Sequence, residues 1–229
     1  MIARLAFSSE GALRAAMKGH TVIVIDTLRA STTVTTILEN GGVGVAPAAT
    51  VEEARSKARE LSGAFGGDVI LAGERGGLRI PGFNFGNSPL EFTREVVEGK
   101  IVVLTTTNFT KVVQQAMRAP LVIAGCLRNA EAVASLARRE SLRSGRKVTV
   151  VHSGRRGEFS PEDYMTACVI KCLIEGVEPP SHEECVLNSP SAKNLAELGF
   201  WEDVKYCSQL NVSVTVPILR NGIFVKSQP

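Results

Sequence analysis

The chain has 229 residues, of which 44% are hydrophobic and 21% charged, with a formal net charge of +3 at pH 7. These are ordinary proportions for a soluble protein with ample length for a core; the charge is too small to argue for nucleic acid or a membrane surface as partner, and no window reaches the ~18 apolar residues of a membrane span. Five cysteines, an odd number without a CxxC pair, argue against a disulfide framework or a zinc ribbon, and a start lacking the features of a signal peptide leads us to expect a cytoplasmic protein.

Ala3 to Phe7 predicts an edge strand, and Glu10 to Met17 a short helix that Gly19 ends. Val22 to Ile25 are four β-branched residues without alternation, the pattern of a strand buried on both faces. The run stops on Asp26, and Thr27-Leu28-Arg29-Ala30-Ser31-Thr32-Thr33 leads into a helix from Val34 to Asn40. An acid directly after such a run is costly unless paired or ligated. Ligands of open α/β sheets bind at the carboxyl ends of the strands, and a helix N-terminus suits an anion such as phosphate.

Val43 to Ala46 reads as a second strand. Thr50-Val51-Glu52-Glu53 is a capping box, opening a helix that turns Val51, Ala54, Ala58 and Leu61 to one face. Val69 to Ala72 is a third buried strand. The segment Gly73 to Asn87 holds five glycines and a proline, so it predicts a long irregular loop, functional rather than disordered because it also carries Phe83 and Phe85. Ser88-Pro89-Leu90-Glu91 is a second capping box, predicting a helix that ends at Gly99.

Ile101 to Leu104 is a strand that runs into Thr105-Thr106-Thr107-Asn108, followed by a helix from about Thr110 to Met117. Leu121 to Ala124 is another strand, and Asn129 caps a helix through Arg143. Lys147 to His152 is a strand entering Ser153 to Phe159, and Ser160-Pro161-Glu162-Asp163 starts a helix through Glu175. After a linker from Gly176 to His182, Ser189-Pro190 starts a helix that Gly199 ends, and a short helix spans Trp201 to Ser208. Val212 to Leu219 and Ile223 to Val225 flank Asn221-Gly222, a hairpin turn signal. The alternation predicts an α/β fold, a mainly parallel sheet with helices on both faces. We expect one domain over 1–229, with a small C-terminal helix and β-hairpin subregion over 177–229.

One device recurs: strand, polar loop and capped helix meet at Asp26, Glu74, Thr105 and Gly154. Parallel strands gather these ends on one edge, with Arg29, Arg75, Asn87, Thr106, Thr107, Asn108, Arg155, Arg156 and Asp163 beside them. Ser31 and Ser88 serve either as N-caps or as hydroxyl contacts to a ligand. Carboxylates and neutral oxygens without clustered His or Cys suit a hard cation such as Mg²⁺. Several arginines suit a small substrate with more than one anionic group. Together they point to phosphoryl hydrolysis at a metal site. The established phosphate and hydrolase motifs are absent: no GxxxxGK[ST], no GxGxxG after a strand and no GxSxG elbow.

Four segments in register, VIVIDTLRAST (Val22 to Thr32), GERGGLRIPGFNFGNSP (Gly73 to Pro89), VLTTTN (Val103 to Asn108) and GEFSPED (Gly157 to Asp163), resemble the 2-phosphosulfolactate phosphatase family of Mg²⁺-dependent acid phosphatases. The resemblance implies hydrolysis of 2-phospho-3-sulfolactate to 3-sulfolactate and phosphate, on a route to coenzyme M or related sulfonates. On this basis Asp26 is expected to be a Mg²⁺ ligand or the nucleophile, Glu74 a second ligand or a general acid, and Asp163 a third acid. Arg29 and Arg75 are expected to bind the phosphate and other acidic groups, with Thr105 to Asn108, Ser31, Asn87 and Ser88 completing the substrate site. The chain departs from the family at Phe109, where relatives carry Gly after TTTN and where a bulky residue is expected to narrow the pocket. It departs also at His152 to Arg156 and at Cys168. Alternatives are a phosphatase of a related small polyanion, or a polyanion-binding protein without turnover. A homodimer is the default expectation, with the C-terminal hairpin as its contact.

Overall fold

A computed structural model describes residues 2–65 and 68–228. Strands and helices alternate as the hydrophobic pattern predicts: β1 (Arg4–Phe7), α1 (Ser8–Met17), β2 (Thr21–Ile25), α2 (Ala30–Glu39), β3 (Gly44–Ala48), α3 (Val51–Phe65) and β4 (Val69–Arg75) come first. They are followed by β5 (Leu78–Arg79), a 3-10 turn (Pro89–Glu91), α4 (Arg94–Val97), β6 (Ile101–Thr105), α5 (Phe109–Ala116), β7 (Leu121–Gly125), α6 (Ala130–Ser144), β8 (Val148–His152) and α7 (Pro161–Glu175). The chain closes with α8 (Glu183–Leu187), α9 (Pro190–Glu197), α10 (Trp201–Ser208), β9 (Pro217–Arg220) and β10 (Ile223–Lys226). No helix among the described residues is long and apolar enough to cross a membrane.

Three local differences from the sequence reading have physical causes. Helix α2 starts at Ala30 rather than Val34, because the hydroxyls of Ser31, Thr35 and Thr36 bond back to preceding backbone carbonyls at 2.8, 2.9 and 3.0 Å. Such bonds satisfy polar side chains inside a helix. The segment expected as a long loop is not wholly irregular: β4 runs on to Arg75, and Gly76 and Gly77, both at positive φ, form a two-residue turn that returns Leu78–Arg79 as β5. The helix expected from Ser88 to Gly99 is only the 3-10 turn and the four-residue α4. Ser88 gives its hydroxyl to Asp203 instead of capping, and the Glu91 carboxylate accepts the Gly86 N–H. The Thr50 box holds: Thr50 Oγ1 accepts the Glu53 N–H at 3.1 Å.

The strand order is β1-β8-β2-β7-β9-β10-β3-β6-β4-β5. Strands β1, β8, β2 and β7 run parallel, as do β3, β6 and β4. The C-terminal hairpin lies between these halves, β9 antiparallel to β7 and β10 antiparallel to β3, so it knits the sheet rather than hanging beside it. Inner-face residues of both halves, Val22 and Val24 with Val102 and Leu104, share one core with α2, α5 and α1. The opposite faces are covered separately, by α6 and α7 on Ile23, Ile25 and Val150, and by α3 on Ala46 and Val103.

Candidate active site

Strand β4 is six places from β2 in the sheet order. At a spacing of ~4.8 Å per strand, a flat sheet would put their ends roughly 29 Å apart. Yet Asp26 after β2 and Glu74 in β4 line one cleft. The sheet is therefore curled, its twist and the narrow hairpin junction bringing the carboxyl ends of both halves together. Leu28, Arg29, Gly76, Gly77, Asn87, Thr106, Thr107, Asn108, Gly154, Arg155, Arg156, Ser160, Glu162 and Asp163 complete the rim, with Ser191, Asn194 and Leu195 from α9.

At the end of β2 the chain is clamped twice. The Asp26 N–H donates to Ser31 Oγ at 3.1 Å, and the Ser31 hydroxyl donates to Asp26 O at 2.8 Å. Asp26 Oδ1 accepts the Ala30 N–H at 3.1 Å. Burial, with Glu74 and Glu162 nearby, pushes the Asp26 carboxyl up from 3.8 to about 7, against the pull of backbone amides at Ala30 and Phe109. Asp163 lies in the first turn of α7, where its oxygens accept the Thr27 N–H at 2.8 Å and the Gly154 N–H at 3.1 Å. Burial, then the charges of Asp26 and Glu162, raise its carboxyl well above the usual range. Gly154 is required there: a Cβ would sit 2.4 Å from Glu158 O and 2.5 Å from Phe7 Cε2.

On the other half, Glu74 Oε1 accepts the Thr107 N–H at 2.7 Å and Oε2 the Gly77 N–H at 2.8 Å. One carboxylate thus fixes both the β4–β5 turn and the β6–α5 loop. Asn108 Oδ1 accepts the Arg156 N–H at 2.9 Å, tying that loop to the turn after β8. Three polar atoms of cleft residues, Asn87 Oδ1, Thr107 Oγ1 and Glu162 Oε2, are buried without a hydrogen-bond partner among the described residues. Buried polar groups are rarely left so unless something else satisfies them.

Of the residues expected at the site, Asp26, Glu74, Asp163, Arg29, Asn87, Thr106, Thr107 and Asn108 line the cleft. Ser31, Ser88, Arg75 and Thr105 do not. The Ser31 hydroxyl holds the Asp26 backbone and Ser88 binds Asp203. Arg75 turns along the strand edge, donating to Glu74 O at 2.6 Å and Thr105 Oγ1 at 3.1 Å. Phe109 does not narrow the cleft: its ring is fully buried and stacks on Phe224 with centroids 6.0 Å apart. Its backbone starts α5 without positive φ, so no glycine-only geometry is needed. The reason for expecting binding without turnover is thereby removed. Glu162, Ser160 and the α9 residues escaped the sequence reading. Glu162 sits at the second position of a helix, where an acid ordinarily just favours the dipole.

A family model described as 2-phosphosulpholactate phosphatase matches residues 7–222. The chain belongs to this family. Among its members, a protein of Clostridium perfringens (strain SM101 / Type A) named probable 2-phosphosulfolactate phosphatase is 39% identical over 224 residues, covering 90% of this chain and 89% of that protein. One of the same name from Thermotoga maritima is 38% identical over 222 residues, covering 90% and 92%. Another, from Clostridium acetobutylicum, is 35% identical over 224 residues, again covering 90% and 92%. The matched span takes in every cleft residue of this 2-phosphosulpholactate phosphatase family member, including those α9 supplies.

Proposed function

We propose that the chain is a phosphoric monoester hydrolase acting on 2-phospho-3-sulfolactate, dependent on Mg²⁺, and serving sulfonate metabolism of the coenzyme M type. The reaction cleaves the ester P–O bond: a water oxygen joins phosphorus, and the former ester oxygen leaves as an alcohol after taking up a proton. The observation that carries the reading is that Asp26, Glu74, Glu162 and Asp163 share one cleft while none of them forms an ion pair among the described residues.

That donor set suits a hard cation, and the unpartnered Glu162 Oε2 supports the fit. Among the described residues no three His, Cys, Asp or Glu side chains converge closely enough to hold an ion alone. Asp26, with Glu162 and Glu74 beside it, would hold Mg²⁺ with water and substrate oxygens, as sites for this ion commonly do. Bound there, the ion would neutralise charge on the phosphoryl oxygens.

The protein's own donors complete the account. Arg29 faces the phosphate, and the free Thr107 hydroxyl and the Asn108 side-chain amide bind phosphoryl oxygens at the start of α5. Arg155 and Arg156, which line the same cleft, would pair with the sulfonate and carboxylate of the substrate. Asp26→Asn is expected to lower phosphate release from 2-phospho-3-sulfolactate by about 10²–10³-fold, the scale on which single transition-state contacts act. Full activity in that variant would contradict the assignment of Asp26.

A further inference from the structure

Resting on the functional reading above, we propose that Asp203 is the positioning residue for Arg29 in anion binding. Asp203 stands on α10, a helix that contributes nothing to the cleft wall. It is 2% exposed. Its Oδ2 accepts Arg29 Nη1 at 2.6 Å, and its Oδ1 accepts the Ser88 hydroxyl at 2.7 Å. From the other side, Arg29 Nη2 donates to Gly77 O at 2.7 Å, and the Phe200 ring centroid lies 4.4 Å from the guanidinium carbon.

A guanidinium is planar with five N–H donors in a fixed fork. Two bonds in its plane and an aromatic ring against its face leave it one orientation. Only two of the five donors are spent on these bonds, and Arg29, though 2% exposed, is among the residues that line the cleft. An arginine fixed this way loses no rotamer freedom when an anion arrives. The same carboxylate anchors Ser88, so α10 is the common point to which the turn after β2 and the segment before the 3-10 turn are both tied. These partners are 174 and 115 residues away in sequence, which hides the arrangement from any local motif.

Asp203 touches no substrate in this scheme and acts through Arg29. The test is calorimetric titration of inorganic phosphate into the full-length protein with Mg²⁺ present, using wild type, Asp203→Asn, Arg29→Met and the double variant. Asp203→Asn is expected to weaken phosphate binding at least fivefold, and to raise KM for the phosphate ester in parallel. In the Arg29→Met background the same change is expected to alter phosphate binding less than twofold. The conservative Asp203→Glu is expected to recover part of the lost affinity. Phosphate binding unchanged in Asp203→Asn overturns the proposal, as does equal weakening with Arg29 absent. If circular dichroism shows Asp203→Asn unfolded, Ser88→Ala serves, since it frees one Asp203 oxygen without removing the charge. A loss of threefold or more supports the proposal and unaltered binding overturns it. Wild type that binds no phosphate contradicts the functional reading as well, which separates the two failures.

Discussion

Asp163 fixes Thr27 in place: its Oδ1 accepts the Thr27 N–H at 2.8 Å, and its Oδ2 takes the Gly154 N–H at 3.1 Å. One side chain at the start of α7 thereby sets the distance between the ends of β2 and β8. Asp163→Ala leaves both buried amides without acceptors, at about 1–3 kcal/mol for each unsatisfied group. Relief of repulsion from Asp26 and Glu162 offsets part of this. Net destabilisation of about 1–3 kcal/mol is expected in urea unfolding, with loss of phosphatase activity larger than the fold's loss of stability explains.

The pH dependence of stability has a definite sign. The Asp26 carboxyl is raised to about 7 in the folded protein, and Asp163 is raised well above 3.8. Between 3.8 and about 7 the folded state therefore holds more protons than the unfolded state, and stability falls as pH rises. One such proton accounts for at most about 1.4 kcal/mol per pH unit. Thermal melts in EDTA are expected to give a lower Tm at about pH 7.5 than at about pH 5.5, with a smaller difference in Asp26→Asn. A Tm that rises across that window in wild type and variant alike contradicts the burial of these acids.

Arg75 and Arg29 separate the sequence expectation from the geometry. Arg75 is exposed and bonded along the strand edge, away from the cleft. Arg75→Ala is expected to change KM less than twofold. Arg29→Met is expected to raise KM at least tenfold, roughly the 1.5–3 kcal/mol of a hydrogen bond to a charged group. Steady-state kinetics on the two variants decides.

Phe109→Gly restores the residue expected after the TTTN segment. The ring it removes is fully buried against Phe224, so stability is expected to drop by about 3–5 kcal/mol, as for other large core truncations. Activity is expected not to rise. Denaturant unfolding alongside phosphate release measures both.

Much of this arrangement was legible because apolar runs and capping signals are local. Val22 to Ile25 became β2, the Asp26 ending marked the cleft, and Thr50 capped α3. The strand order was not legible, because β9 and β10 enter the middle of the sheet from the far end of the chain, and periodicity carries no pairing information. Arg75 and Glu74 are neighbours in sequence and alternate across a strand, so only one of them turns to the cleft. Asp203 and Ser88 were missed in their roles because each works through a partner more than a hundred residues away.

The most direct test is phosphate release from 2-phospho-3-sulfolactate by the purified wild-type protein, with Mg²⁺ and with EDTA, beside the same measurement on 2-phospholactate, which lacks the sulfonate. The expected result is Mg²⁺-dependent release with kcat/KM in the range of about 10⁴–10⁸ M⁻¹s⁻¹, at least tenfold higher for the sulfonate, and abolished by EDTA. Absence of Mg²⁺-dependent phosphate release from 2-phospho-3-sulfolactate would contradict the account.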